Sequence, residues 1–270
     1  MNTAFAKYHG TGNDFIMIDN RNLLLPRANT NVYASWCHRR FGIGADGVIL
    51  IQNRPDCDFE MVYYNADGNE GSMCGNGGRC AVAFARQLGV FSGNTCRFVA
   101  ADGLHEAAVD QQTGIVSLQM QPVKEIQLYH NDYVLNTGSP HYVKMVTDLN
   151  NIAVFEQGAQ IRYSPYFKEQ GINVNFVQPH AQGIAVATYE RGVENETYSC
   201  GTGVVASAIT YAMLQNRLGT VTVPVETKGG QLWVQLTNHH THFTDIWLKG
   251  PATFVFNGTI STTLNLPANF

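Results

Sequence analysis

Cys74 in "MCGNGGRC" and Cys200 in "SCGTGV" stand in nearly the same setting, 126 residues apart. Each is followed by Gly-x-Gly and then by a helix-like apolar run. A thiol at such a point lies beside backbone N–H groups that have no partner within the helix. Those groups and the helix dipole favour a thiolate. They also suit a carboxylate, because glycine lets the backbone approach an anion closely. Other chemistries fit less well. Five residues separate Cys74 from Cys80, not the two to four of common zinc loops, and Cys80 falls inside the helical run, where it packs. "NHHTHF" has three histidines with no acidic or thiol neighbour and reads as a polar turn. "GNGGR" resembles an anion loop, but GxxxxGK[ST] is absent. "FGIGADG" has GxGxxG spacing outside a βαβ context and reads as a tight turn between helix and strand. A thiol hydrolase uses one cysteine with a histidine base and has no need of a second equivalent thiol. A redox dithiol would be Cys-x-x-Cys, which the chain lacks. Two opposed thiols suit another task, removing a proton from one face of a carbon and returning one to the other. That is racemisation or epimerisation of an amino or hydroxy acid held by its carboxylate.

The elements that carry these cysteines repeat as well. The offset of 126 also joins Thr11-Gly12 to Thr137-Gly138, Glu70 to Glu196 and Gly103 to Gly229, in the same order. Such a repeat implies two related halves of domain size. In each, a Gly-containing turn leads into an apolar strand ("HGTGNDFIMID"; "NTGSPHYVKMV"). A helix-like stretch and an extended segment follow ("CDFEMVYYNADG"; "GIAVATYERG"). After the cysteine come the runs "RCAVAFARQLGV" and "VVASAITYAMLQNRLG", each ending in Leu-Gly, a plausible helix stop. Alternating strands close each unit: "RFVAADGLHEAAVD" with "GIVSLQMQPV", and "GTVTVPVETKGGQLWVQL" with "THFTDIWLKGPATFVF". Many strands around few helices predict an α+β fold.

Composition narrows the partners. The 270 residues are 44% hydrophobic and 14% charged, which describes a packed globular chain. A net charge of −4 argues against a nucleic-acid partner. The N-terminus has no basic segment leading into an apolar one, and no run approaches membrane-spanning length, so a cytoplasmic protein with six reduced cysteines is expected.

The motifs "HGTGNDFIMID", "RRFGIGADGVI", "YYNADGNEGSMCGNGGRC", "GSPHYV", "GINVNF" and "YERGVENETYSCGTG" together resemble the diaminopimelate epimerase family over essentially the whole chain. The resemblance implies two pseudo-symmetric domains, each a β-sheet wrapped around a central helix, with the active site in the interdomain cleft. The expected domains are 1–122 with the return of 256–270, and 123–255. It implies a cofactor-independent enzyme, with no pyridoxal phosphate and no metal, that interconverts LL- and meso-diaminopimelate for lysine and peptidoglycan precursor synthesis. Its partner is this small amino-acid substrate, with no nucleic acid and no membrane, and a homodimer is compatible with the sequence. By the resemblance, Cys74 and Cys200 are the base and acid pair, and Gly75, Asn76, Gly201 and Thr202 hold the α-carboxylate. His141 and Glu190 correspond to residues that polarise the thiols and orient the ammonium end. Asn13, Asn65, Asn173 and Arg191 match the set that recognises the distal end of the substrate. Taken alone, Asn13 and Asn65 suit turns, Arg191 a surface charge and Glu190 a strand end. Two positions depart from the family pattern and bear on selectivity: Ser139 stands where many members have Asn, and Gly47 where some have Gln.

Overall fold

The structure, a computed structural model, describes residues 2–261. The chain forms two compact units: one runs to Leu118 and resumes at Pro251, and the other is Gln119–Gly250. The expected boundaries at 122/123 and 255/256 lie a few residues beyond these points. The second division falls at Gly250-Pro251, where strand pairing is interrupted. Residues 262–270 of the expected return lie outside the described residues.

The first unit holds β1 (Asn2–Gly10), β2 (Asn13–Asp19), α1 (Thr30–Cys37), β3 (Gly47–Gln52), β4 (Phe59–Asn65), α2 (Gly75–Gln87), β5 (Thr95–Ala100), β6 (Gly103–Val109), β7 (Val116–Met120, up to Leu118) and a closing strand, Thr253–Ser261. From the closing strand to β7 the neighbours pair antiparallel, antiparallel, parallel, antiparallel, parallel, antiparallel, antiparallel. Both parallel steps cross over through a helix, as parallel neighbours require. The sequence "GVILIQ" of β3 is buried throughout, because both faces are covered. Val48 and Leu50 cluster with Tyr33 and Trp36 of α1, while Ile49 lies against Gly77 of α2. Every residue from Gly75 to Val82 is buried, so α2 is the central helix of this unit.

The second unit repeats the plan with β8 (Ile126–Tyr129), β9 (Asp132–Asn136), β10 (Pro140–Met145), α3 (Val154–Arg162), β11 (Asn173–His180), β12 (Gly183–Glu190), a short β13 (Asn195–Thr197), α4 (Gly201–Leu214), β14 (Gly219–Thr227), β15 (Gly230–Asn238) and β16 (Phe243–Gly250). Setting β13 aside, β8 to β16 pair in the same order of directions as the first unit. Even the β12–β13 pair Tyr189–Glu196 has its counterpart in the first unit's isolated bridge Tyr64–Glu70. The α+β expectation is met in both halves. "FGIGADG" lies between α1 and β3, and "NHHTHF" spans the β15–β16 turn, as expected. No helix among the described residues is long and apolar enough to cross a membrane.

Two local expectations are corrected. The helices begin at Gly75 and Gly201, ahead of the apolar runs, so the Gly-x-Gly segments are first helical turns and not loops. Close packing places glycine there: a Cβ on Gly203 would meet Asn175 Oδ1 at 2.3 Å, and one on Gly77 would press the Ile49 Cδ1 end at 3.0 Å. At the other end, α2 stops at its Leu-Gly, with Gly89 left-handed (φ +67°). Helix α4 stops before its Leu-Gly, where Asn216 takes the left-handed position (φ +50°) that asparagine tolerates best among non-glycine residues.

Candidate active site

In the first unit the chemistry gathers where β2 and α2 begin. Thr11 and Gly12 turn the chain through left-handed backbone (φ +49° and +88°) and deliver Asn13 as the first residue of β2. Cys74 precedes the first helical residue, Gly75, with an extended backbone (φ −113°, ψ 123°) and no side-chain cap. The Gly78 N–H donates to the Cys74 carbonyl at 2.7 Å, so the N–H groups of residues 75–77 precede the first helical bond. The Cys74 thiol donates to Asn13 Oδ1 (3.5 Å), which also accepts from Asn76 Nδ2 (3.4 Å). Asn13 Nδ2 donates to Asp46 Oδ2 (2.7 Å), which fixes the amide with its oxygen toward the cysteine. Behind Asp46 stands a charge cluster. Arg39 binds Asp14 and Asp46, and Lys7, itself buried, reaches Asp14 at 2.7 Å. Burial alone would raise the pKa of Asp14, but the Arg39 and Lys7 hydrogen bonds outweigh it and hold the carboxyl well below the usual carboxylate range. Asn65, at the exposed end of β4, stands outside this chain of bonds.

The second unit places Cys200 at the equivalent point before α4, again extended (φ −108°, ψ 112°) and again without a side-chain cap. Gly201 opens the helix, and the Thr202 hydroxyl lies 3.5 Å from Cys200 Sγ. That hydroxyl is also 2.8 Å from Nε2 of His141, a residue of β10 with 0% exposure. On the other side of the ring, Asn175 Nδ2 is 3.1 Å from Nδ1. The Asn175 amide is oriented by its remaining bonds: Nδ2 donates to the Tyr142 carbonyl (3.0 Å), and Oδ1 accepts from Thr188 Oγ1 (2.9 Å). Nδ1 of His141 is therefore an acceptor, and its hydrogen sits on Nε2 and points to Thr202 Oγ1. The Thr202 proton is then left for Cys200. Burial, reinforced by the charge of Arg191, lowers the pKa of His141 to about 3 against the opposing Asn175 hydrogen bond, so the ring is neutral.

A second cluster in this unit joins Asn173, Ser139 and Arg191. Asn173 Nδ2 donates to Ser139 Oγ (2.9 Å) and the Pro140 carbonyl (3.0 Å), and its Oδ1 accepts the Arg191 N–H (2.9 Å). The exposed Arg191 guanidinium donates to the Gln170 carbonyl (2.9 Å) and Ser139 Oγ (3.4 Å). Gly171, left-handed at φ +70°, makes room for it: a Cβ there would lie 2.6 Å from Arg191 Cδ. Glu190, half-buried, ends β12 next to Arg191. Ser139 thus serves as a shared acceptor. At Gly47 a Cβ would meet the Tyr64 carbonyl at 2.4 Å and the Tyr63 ring at 2.5 Å, so no longer residue fits.

The family model described as diaminopimelate epimerase matches residues 5–126 and 133–255. The chain belongs to the diaminopimelate epimerase family. A diaminopimelate epimerase of Flavobacterium psychrophilum is 49% identical, covering 94% of this chain and 98% of its own length. One of Chlorobaculum tepidum is 41% identical over 93% of this chain and 99% of its own. Among solved structures, a Bacillus anthracis phenazine biosynthesis protein of the PhzF family has a TM-score of 0.76 at 12% identity, covering 97% of this chain and 99% of that one. A hydroxyproline epimerase from Agrobacterium vitis, with bound trans-4-OH-L-proline, has a TM-score of 0.70 at 13% identity, covering 96% and 92%. At such identities the likeness concerns the fold alone.

Sequence reasoning misses Asn175, Thr188, Asp46 and Arg79. Asn175 has a usable signal: it is two residues beyond Asn173 in "GINVNF", hence on the same face of the strand. Arg79 is the arginine of "GNGGR", and nothing in the sequence marks it as buried.

Proposed function

We propose that this protein epimerises diaminopimelate between its LL and meso forms, with Cys74 and Cys200 as the two acid–base groups. One cysteine, as thiolate, takes the α-hydrogen as a proton. The electron pair left on carbon is delocalised into the α-carboxylate, and the other cysteine, as thiol, delivers its own proton to the opposite face. Backbone N–H groups at the starts of α2 and α4 are suited to hold that carboxylate as charge builds on it. The observation that carries the reading is the duplication: each unit sets one cysteine, extended and uncapped, immediately before a buried helix. The Asn173–Ser139–Arg191 cluster supports a substrate with a second carboxylate, which a guanidinium recognises well. Neither pyridoxal phosphate nor a metal is called on, and a cytoplasmic enzyme without nucleic-acid or membrane partners belongs to the same reading. So does a homodimer, supported by the exposed Phe254, Val255 and Phe256 of the closing strand. A thiol hydrolase fits the site poorly, because His141 Nε2 carries a hydrogen and Nδ1 is taken by Asn175.

The test is incubation with LL-diaminopimelate in D2O, following stereochemistry and α-deuteration. Wild type should form meso product carrying α-deuterium without cleavage. Cys74→Ala and Cys200→Ala should each lose epimerisation while remaining folded. Near-normal turnover by either variant would sink the assignment.

A further inference from the structure

Two runs of hydrogen bonds, one in each unit, reach a cysteine with opposite polarity. In the first unit the run starts at Arg79, which can only donate, and ends at Asp46, which is paired with Arg39 and accepts. Arg79 Nη2 donates to Asn76 Oδ1 (2.9 Å), Asn76 Nδ2 to Asn13 Oδ1 (3.4 Å), and Asn13 Nδ2 to Asp46 Oδ2 (2.7 Å). Both amides are thereby fixed, and the atom that Asn13 holds 3.5 Å from Cys74 Sγ is an oxygen. An oxygen that cannot turn away accepts from a thiol and repels a thiolate. In the second unit Asn175 makes Nδ1 of His141 an acceptor, and Nε2–H then donates to the Thr202 oxygen. The hydroxyl proton of Thr202 is directed to Cys200 Sγ, 3.5 Å away. A donated hydrogen bond is stronger to a thiolate than to a thiol, so it favours the charged form. We propose that the protein rests with Cys200 as the thiolate base and Cys74 as the protonated acid. The proposal builds on the two-thiol reading and adds an order to it.

The charged groups around the two sites leave these contacts to decide. Near Cys74, the Lys7, Asp14, Arg39 and Asp46 cluster carries two charges of each sign. Glu70 is exposed, and His9 accepts the Gly12 N–H. On α2, the Cys80 thiol is pushed up to about 12 by burial, and Arg86 lies in the last turn. Arg79 pulls toward a thiolate at Cys74. Its donors, however, are engaged by Asn76, Thr11 and the Gly75 and Pro251 carbonyls, while the Asn13 oxygen touches the sulfur itself. Near Cys200, His141 is neutral, Glu196 is held by Lys228, and Glu190 and the exposed Arg191 oppose each other in charge. Helix α4 carries one ionisable side chain, Tyr211, near its far end.

The asymmetry is written in the repeat. At the offset of 126 residues Thr202 corresponds to Asn76, so the position that offers Cys200 a hydroxyl gives the first unit an amide. In the resting form Cys200 takes the α-proton and Cys74 gives its own to the opposite face of the carbon, which leaves Cys200 a thiol and Cys74 a thiolate. Before the same conversion repeats, Cys200 must lose a proton to water and Cys74 must gain one. One stereoisomer therefore meets a ready protein, and the other reacts only with the exchanged form.

Alkylation of the intact protein with iodoacetamide across a pH series tests this, with carbamidomethylated Cys74 and Cys200 quantified by peptide mass spectrometry. The thiolate sulfur displaces iodide, so the midpoint of each rate–pH curve reads that thiol's ionisation, whatever its access to the reagent. The Cys200 midpoint should lie below that of Cys74. In Thr202→Val the Cys200 midpoint should rise by about 1 pH unit while Cys74 stays put, and Thr202→Ser should restore it. In Asn13→Ala, where water can replace the oxygen and donate, the Cys74 midpoint should fall while Cys200 stays put. A wild-type Cys200 midpoint at or above that of Cys74 overturns the proposal even if the variants fail to fold. An unmoved Cys200 midpoint in a Thr202→Val protein that unfolds cooperatively does the same. Failure of the underlying two-thiol reading has a different signature, retained epimerisation in a cysteine-to-alanine variant.

Discussion

The hydroxyl of Thr202 lies between two partners, and the tautomer of His141 decides which of them receives its proton. With Nδ1 accepting from Asn175, the ring donates through Nε2 and the hydroxyl turns to Cys200. In Asn175→Asp a carboxylate oxygen faces Nδ1 where an amide N–H stood, and the ring gains by moving its hydrogen to Nδ1 to donate to that oxygen. Nε2 then accepts from Thr202, and Cys200 loses a hydrogen bond. One such bond contributes about 1 kcal/mol, so kcat should fall roughly fivefold to tenfold. Alkylation of Cys200 should need higher pH, while Cys74 should be unaffected. The direct readout is the 15N spectrum of His141, which should change from the Nε2–H to the Nδ1–H pattern. A variant that keeps Nε2–H with a reduced rate would mean that Asn175 acts through packing alone. First-unit counterparts at the repeat offset, Phe15 for His141 and Ile49 for Asn175, are apolar, so this relay exists once.

The two units share one order of strand pairings, and the repeat offset of 126 residues makes that likeness legible in the sequence. The starts of α2 and α4 are not legible there. Apolar periodicity begins only after the glycines, and glycine counts against helix unless close packing demands it. Gly203 is the clearest case, since the Asn175 oxygen it faces is held by Thr188 and cannot withdraw. Gly77 faces the Ile49 Cδ1 and Met61 Cε ends of flexible side chains, at 3.0 and 3.4 Å. Gly203→Ala should therefore destabilise the protein by about 1–3 kcal/mol, as overpacking does, and should disturb His141 as well. Gly77→Ala should cost less. Urea unfolding of both variants checks the order, and equal midpoints would mean that the Asn175 strand yields more readily than its hydrogen bonds imply. Arg79 stays hidden for another reason: the sequence shows a charge, but only the packing of β1, β2 and the closing segment buries it.

At the scale of the molecule the units differ in how the chain builds them. The second is continuous from Gln119 to Gly250, while the first is finished by a segment from the far end of the chain. The closing strand pairs with β1 from Asn2–Ser261 to His9–Thr253, and Ser261 accepts the Trp36 indole N–H at 3.3 Å. Pro251, at the head of the same segment, supplies one of the four acceptors of Arg79. Ending the chain after Gly250 would strip β1 of a neighbour and leave it as an open edge, uncover Phe5, and take one acceptor from a buried cation. The strand pairs among β8 to β16 would remain. The tryptophans separate the two responses, because Trp36 reports the first unit and Trp233 and Trp247 the second. With Trp233→Phe and Trp247→Phe in place, the Trp36 emission of the truncated chain should unfold at markedly lower urea than in the full chain. With Trp36→Phe instead, the Trp233 and Trp247 signal should move much less. Equal shifts for both probes would show that the units unfold as one, so that the strand closing the first also holds the second.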